Sequence, residues 1–204
     1  MARAYAMSAR AEATQRTRES ILDATIALAY ELQRVDLSLE QIAARAGRSV
    51  QTMLRHFGTR DALIAAAIER GAAEVIRERT APPGDRARAL ELLVDHYELR
   101  GRFVLRLLAA TEGDAGQVTA NGRLLHRAWV QEVYADDIAG AADPDELTDL
   151  LVVATDVYSW KLLRLDRGLA ATVVRERIAA MARAVIAQAR PQAPAQSPEK
   201  EDTS

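Results

Sequence analysis

Helix start and stop signals alternate closely between residues 38 and 59 of this 204-residue chain. The run Ser38-Leu39-Glu40-Gln41 is a capping box, in which the serine and glutamine side chains satisfy backbone N–H groups at the start of a helix. Gly47 can take the left-handed conformation that ends this helix, and Ser49 can cap a second one over about Val50–Phe57. Gly58 then closes the second helix. Two short helices joined by a glycine turn predict a helix-turn-helix.

The second of these helices divides its residue types between two faces. Met53 and Phe57 lie four residues apart, so both are expected to face the core and anchor the helix. On the outer face, glutamine suits adenine edges, arginine suits guanine or phosphate, and threonine or valine can contact a thymine methyl group. We therefore predict that the helix contacts DNA through Val50, Gln51, Thr52, Arg55 and His56.

Further residues around the motif suit the DNA backbone. Helix N-termini bind phosphates through free N–H groups, and arginine side chains pair with phosphate oxygens. The predicted backbone contacts are Arg16, Arg18, Ser38, Arg48, Ser49 and Arg60. Simpler interpretations stay open, because the serines can act as helix caps alone and the arginines can be solvated surface residues. His56 can equally be a packed residue.

The rest of the chain also favours helix. It has only ten glycines and six prolines, and its composition predicts an all-α fold of about nine helices. Apolar residues recur at helical spacing from Thr17 to near Gln33, and a helix capped by Thr59 is predicted to run to about Arg79. The resulting division is a flexible arm at 1–14, the helix-turn-helix domain at 15–62, a connecting helix at 63–81, a second helical domain at 82–190 and a disordered tail at 191–204.

Five helical segments are predicted in the second domain, and Gly101 is expected to separate the first two. Residues 147–165 are apolar around most of the helix circumference. A helix that is hydrophobic on two faces needs two partners, and the second is often another subunit. We predict a homodimer through the helices at about 144–167 and 171–189. A central helix inside one bundle is the alternative.

Several classes of protein are disfavoured by the sequence. The absence of cysteine excludes disulfides and thiolate-bound zinc. The longest apolar run, residues 62–68, is too short to span a membrane, and no hydrophobic signal core begins the chain, which predicts a soluble, cytoplasmic protein. Glu-x-x-His pairs, a nucleophile elbow, a phosphate-binding glycine loop and HExxH are all missing, so we expect no enzymatic activity, metal or cofactor. Residues 1–60 hold nine arginines against six acidic residues, a local positive charge that suits double-stranded DNA.

Three sequence segments carry a resemblance to a known family: ILDAT at 21–25, SLEQIAARAG at 38–47, and S-x-x-TMLRHF-x-TRDAL at 49–63. The stretch from Thr17 to Ile68 that contains them resembles the DNA-binding domain of the tetracycline-repressor (TetR) family. VYSWKLLRLDRGL at 157–169 is similar to a segment of that family's dimerising region. The strong resemblance covers about a quarter of the chain, and the remainder agrees in helix order only.

The resemblance implies a ligand-responsive transcriptional regulator of the repressor type, which binds a palindromic operator as a homodimer and is released by a small-molecule effector. It assigns effector binding and dimerisation to residues 82–190, where most of the aromatic residues lie. Aromatic residues and a few polar groups are the usual lining of such pockets. The candidate ligand contacts are His96, Tyr97, Phe103, Arg106, Trp129, Thr155, Asp156 and Tyr158.

The chain departs from the family pattern near its DNA-binding residues. Gln33 stands where a glycine usually ends the first helix, so this corner is expected to be rebuilt. Arg48 replaces an apolar residue, Leu54 a tyrosine and Gln51 a small residue, which bears on the DNA contacts and predicts an unusual operator. Two alternatives therefore stay open: an activator, and a non-enzymatic helical small-molecule carrier with a degenerate helix-turn-helix.

Overall fold

The computed structural model describes residues 2–110 and 113–190, with side chains from residue 9 onward. The described residues form ten α-helices and one π-helical turn, and they contain no strand, which confirms the predicted all-α fold. In chain order the helices are α1 (Ala2–Leu32), α2 (Leu39–Ala46), α3 (Val50–Phe57), α4 (Arg60–Arg79), α5 (Arg86–Ala109), α6 (Gly113–Val133), α7 (Ala135–Ala139), α8 (Pro144–Thr155), α9 (Val157–Lys161) and α10 (Ala171–Ala189); the π-helical turn is Leu162–Asp166.

Two hydrophobic cores organise these helices. The first core joins α1 to α4, and its buried residues include Ile21, Leu37, Ile42, Met53 and Leu63. Phe103 and Leu107 of α5 also pack into this core, so α5 ties the helix-turn-helix domain to the rest of the chain. The second core joins α5, α6, α8, α9 and α10, and its buried residues include Leu93, Tyr134, Leu151, Trp160 and Ile178.

The first helix begins at Ala2, so the predicted start at Thr17 was wrong. Alanine, arginine, glutamate and glutamine dominate residues 2–16, and these residues favour helix even where no face is buried. The hydroxyls of Thr14 and Thr17 each donate to the carbonyl four residues earlier, at 2.9 Å. The flexibility of residues 1–14 stays a prediction, and the tail predicted at 191–204 lies outside the described residues.

At the corner after α1, Gln33 adopts a left-handed backbone conformation of the kind that favours glycine. Gln33 has φ of 54°, the one positive value among the described non-glycine residues. Its side-chain amide donates to the carbonyl of Tyr30 at 2.7 Å, which compensates part of the cost of a left-handed conformation. The expected rebuilding of this corner was therefore wrong, since a glutamine adopts the conformation in place.

Gly101 does not divide two helices, contrary to the prediction, because α5 runs through it without interruption. A Cβ atom at this position would lie 2.6 Å from Cζ3 of Trp160. The glycine therefore serves the close approach of the tryptophan ring on α9 to the backbone of α5.

The apolar segment predicted as one helix at about 144–167 is divided at Asp156. This residue has an extended ψ of 157°, which ends α8 and starts α9. Its carboxylate accepts from the N–H of Tyr158 at 2.8 Å, and the hydroxyl of Ser159 donates to the carbonyl of Val153 at 2.7 Å. The chain then continues into the π-helical turn. Gly168, which follows this turn, has a left-handed φ of 68°.

Candidate nucleic-acid interface and the cavity behind it

Helix α3 is anchored on one side by the residues that its spacing singled out. Met53 is 1% exposed, and Phe57 is buried beside it. The helix begins at Ser49, whose hydroxyl oxygen accepts from the N–H of Thr52 at 3.1 Å. It ends where the N–H of Gly58 donates to the carbonyl of Leu54 at 2.8 Å. The first core and these two end caps fix the direction of α3.

The opposite side of α3 faces solvent. Gln51, Leu54 and Arg55 are exposed, while Val50, Thr52 and His56 are half-buried. The hydroxyls of Thr52 and Ser49 lie 2.9 Å apart, so part of the hydrogen-bonding capacity of Thr52 is already used at the helix start. The structure thus leaves Gln51 and Arg55 as the longest polar side chains on the open face, and Leu54 lies between them.

Two of the predicted phosphate contacts are engaged inside the protein. Arg18 donates to the carbonyl of His56 at 2.8 Å, and its guanidinium lies 4.2 Å from the centre of the Phe57 ring. This arginine therefore clamps the end of α3 to α1. Arg60 donates to the carbonyl of Leu37 at 2.8 Å and forms an ion pair with Asp114 of α6 at 2.7 Å. The bonds to Asp114 hold the pKa of Arg60 above its ordinary value.

The remaining predicted phosphate contacts are more open. Arg48 and Ser49 are exposed at the turn, and Arg16 is exposed on α1 with a long ion pair to Glu12 at 3.9 Å. Ser38 forms the capping box of α2: its oxygen accepts from Gln41 N–H at 3.2 Å, and its own N–H donates to Gln41 Oε1 at 3.0 Å. The starts of α2 and α3 thus keep side-chain caps.

Behind the first core lies a cavity of about 480 Å³. It opens between the two hydrophobic cores, and its walls come from α1, α4, α5, α6, α8 and the start of α9. Aliphatic side chains make up most of the wall. The volume falls within the range of pockets that enclose small organic ligands.

The structure sorts the predicted ligand contacts into three groups. His96, Tyr97, Phe103 and Asp156 line the cavity. Trp129 and Thr155 are buried behind the wall, where both contact His126. The last two residues are exposed and lie outside the lining, namely Arg106 and Tyr158.

A buried polar cluster centres on Arg79 and His126, two residues that the sequence did not single out. Arg79 Nη2 donates to His126 Nδ1 at 2.9 Å. Since arginine only donates, the hydrogen of this imidazole is on Nε2, which lies 3.3 Å from the carbonyl of Val152 and 3.2 Å from the hydroxyl of Thr155. Burial, together with the charge of Arg79, lowers the pKa of His126 to about 3. The histidine is therefore neutral at physiological pH.

A second cluster neutralises another arginine at the cavity wall. Arg100 forms an ion pair with Glu78, and its guanidinium lies 4.5 Å from the centre of the Tyr30 ring. Glu78 also bonds to Nδ1 of His96 at 3.0 Å. Burial raises the pKa of Glu78, but the bonds to Arg100 and His96 outweigh burial and hold it below the ordinary value. Burial lowers the pKa of His96 to about 4, so this histidine is also neutral.

No sequence signal indicated that Arg79 and His126 would be buried or that Glu78 would be half-buried. Arginine and glutamate in the last turn of a long helix normally lie in solvent. Arg79 is buried and Glu78 is half-buried here because α5 and α6 pack over the end of α4, which is a tertiary contact that helical periodicity does not reveal. In the described part of the chain, no group of three His, Asp or Glu side chains could hold a metal ion. Over the same residues, no helix combines the length and apolar character needed to cross a membrane.

The anchored helix α3, its open polar face and the capped turn before it define a helix-turn-helix protein of the DNA-binding class. Residues 21–67 match the family of bacterial regulatory proteins known as the tetR family. The matched segment runs from the middle of α1 into α4 and contains the whole helix-turn-helix. This match agrees with the resemblance of the DNA-binding segment to the TetR family that was predicted from the sequence.

Two solved structures are similar over most of the chain. A transcriptional regulator from Rhodococcus sp. Rha1 has 19% sequence identity and a TM-score of 0.62, with 86% of this chain and 99% of that chain covered. A putative transcriptional regulator from Pseudomonas aeruginosa PAO1 has 19% identity and a TM-score of 0.59, with 85% and 91% covered. At this identity the likeness shows that the fold is shared. No curated protein matches the chain.

Proposed function

We propose that this protein is a repressor that binds a palindromic operator as a homodimer and leaves it when a small molecule enters the cavity. The observation that carries the proposal is the two-sided construction of α3. Gln51 and Arg55 are open to solvent on one side, while Met53 and Phe57 fix the other side to the core. A helix held in this way can enter the major groove as a rigid element.

Exposed apolar side chains support the homodimer. Val153 is 67% exposed on α8, and large hydrophobic residues are also exposed on the neighbouring elements: Leu150 on α8, Tyr158 on α9, Leu162 on the π-helical turn and Met181 on α10. Exposed apolar surface of this kind marks interfaces between proteins. These are the elements predicted to pair with a second copy. A two-fold pair would set two copies of α3 about 34–36 Å apart, one turn of B-DNA.

Release by a ligand is supported by the origin of the cavity walls. Ile26 and Ala29 of α1, and Ile64 and Ala67 of α4, line the cavity from the side of the helix-turn-helix domain. A ligand would therefore contact the helices that carry α3. It can shift the protein between DNA-binding and released states only by its differential affinity for the two.

Selection of bound duplexes from a random pool tests the proposal. We expect a two-fold symmetric consensus, because each subunit presents one α3. Gln51→Ala should relax one position in each half-site, since its amide reaches base edges. The matched control is Arg16→Ala, which should weaken all sequences alike and reduce the salt dependence of binding, because Arg16 contacts phosphate only.

Two results would contradict the proposal. A Gln51→Ala protein that selects an unchanged consensus would show that α3 does not read bases through this residue. Binding without preference over random duplex would favour the alternative of a small-molecule carrier whose helix-turn-helix no longer recognises an operator.

A further inference from the structure

Arg79 is buried at the end of α4 without a counter-ion. The residue is 6% exposed, and no carboxylate of the described residues lies within ion-pair distance of it. Its Nε atom has no hydrogen-bond acceptor. Its close neighbours are neutral: His126 accepts from Nη2, and the Trp129 ring centre lies 4.9 Å from the guanidinium carbon. A buried cation without a compensating anion is costly, and an anion that reached it would recover much of that cost.

The other charged groups at the cavity wall are already compensated. Arg100 is paired with Glu78, Arg127 is paired with Asp149 at 2.6 Å, and Arg123 is exposed to solvent. Asp156 is the one carboxylate among the described lining residues, and it is occupied as the cap of α9. Arg79 is therefore the buried group at this wall whose charge remains without a partner.

The remainder of the cavity favours an apolar body. Aliphatic side chains from six helices face it, including Ile26, Val75, Val104, Leu108, Val118 and Val152. A smaller pocket also reaches Arg79, but Asp85 and Glu132 line that pocket, and its other arginine, Arg86, is already paired with Asp137 at 2.6 Å. These carboxylates would repel an anion. The large cavity is thus the better place for a ligand that combines negative charge with apolar surface.

We propose that the ligand of the large cavity is an amphipathic carboxylic acid, whose carboxylate pairs with Arg79 and whose apolar body lies along the aliphatic wall. The inference rests on the proposed function, because it takes this cavity to be the effector site. Alkyl acids and aromatic acids share this chemistry, so the test includes one of each.

Isothermal titration calorimetry on the full chain compares each acid with its neutral alcohol: dodecanoate with dodecanol, and naphthylacetate with naphthylethanol. We expect the acid of at least one pair to bind about tenfold to hundredfold more tightly than its alcohol, as charge-assisted hydrogen bonds allow. Arg79→Met should abolish this preference, and Arg79→Lys should keep part of it. The matched control is Arg88→Met, which removes a paired and more exposed charge outside the cavity lining and should leave the preference unchanged.

Equal affinities within both pairs would overturn the proposal, and so would the absence of binding by all four compounds. A preference that persists in Arg79→Met would also overturn it. Arg79→Met is expected to fold, since it replaces an uncompensated buried charge with an apolar side chain of similar length. If it does not fold, Arg79→Lys and the comparison of acid with alcohol in the unaltered protein still decide the outcome.

Failure of this inference is distinguishable from failure of the proposed function. The acid that binds is added to the complex between the protein and its selected operator. Binding with the expected preference but without release of DNA would support the ligand class and contradict effector control. Release of DNA by a different compound, with no charge preference in either pair, would contradict the ligand class and leave effector control standing.

Discussion

Replacing Gly101 by alanine tests how closely α5 and α9 pack. In the interior of an unconstrained helix this change stabilises the protein by about 1 kcal/mol, because alanine has the higher helix propensity. At Gly101 the added Cβ would lie 2.6 Å from Cζ3 and 2.8 Å from Cη2 of Trp160. The tryptophan is 2% exposed, and its Nε1 donates to Glu98 Oε1 at 2.7 Å. If the ring moved aside, it would lose packing contacts and weaken this hydrogen bond.

These contacts give the sign and the size of the effect. Overpacking a core costs about 1–3 kcal/mol, and a weakened bond to a charged acceptor adds up to about 1.5–3 kcal/mol. The gain in helix propensity offsets about 1 kcal/mol of this cost. Together these contributions are expected to lower the free energy of unfolding of Gly101→Ala by up to about 5 kcal/mol.

Gly122→Ala provides the matched control. Gly122 lies inside α6, and a Cβ added there would meet no atom within 4 Å. This change should therefore raise the free energy of unfolding by about 0.5–1 kcal/mol. Urea denaturation of both variants is compared at equal protein concentration, because self-association shifts apparent stability. If Gly101→Ala proved as stable as Gly122→Ala, the close packing of Trp160 against α5 would be refuted.

Two further outcomes concern the histidines and the dimer. Burial holds the pKa of His96 at about 4 and that of His126 at about 3, whereas the unfolded chain takes up these protons below about pH 6.5. The free energy of unfolding should therefore fall as the pH is lowered from about 6.5 to about 4, by up to about 1.4 kcal/mol per pH unit for each histidine. Chemical denaturation of His126→Gln should show a shallower fall over the same pH range. Val153→Glu should shift the protein to monomers in sedimentation velocity, whereas Leu124→Glu, at a residue 69% exposed on α6, should not. A pH-independent stability, or equal effects of the two glutamates, would contradict these expectations.

Local signals were sufficient to predict the helix-turn-helix. The capping box at Ser38, the cap at Ser49 and the left-handed Gly47 all occur in the structure, because each depends on residues within one helical turn. The pair Met53 and Phe57 was also predicted to be buried, since spacing alone decides which face of a short helix meets the core.

Contacts between distant segments could not be predicted in this way. Gly101 resembled a helix end because its sequence neighbourhood does not reveal the tryptophan that packs on it. Asp156 divides an apolar stretch whose periodicity is continuous, because its carboxylate caps a new helix. Arg79 resembled a surface residue because only the packing of α5 and α6 places it in the interior. For Gly101 and Arg79 the deciding contact comes from a residue more than twenty positions away in sequence. For Asp156 it is a capping hydrogen bond that periodicity does not encode.

Helix α4 connects the two proposed sites in a single rigid element. Its first residue, Arg60, bonds to the carbonyl of Leu37 in the helix-turn-helix domain and to Asp114 on α6. Its last residue, Arg79, carries the uncompensated charge at the cavity. A helix of this length spans about 30 Å, so a small tilt at one end becomes a displacement of several ångströms at the other. An anion bound at Arg79 would therefore act on the end of α4 that lies farthest from α3, where a given force has the greatest leverage on the spacing between two recognition helices.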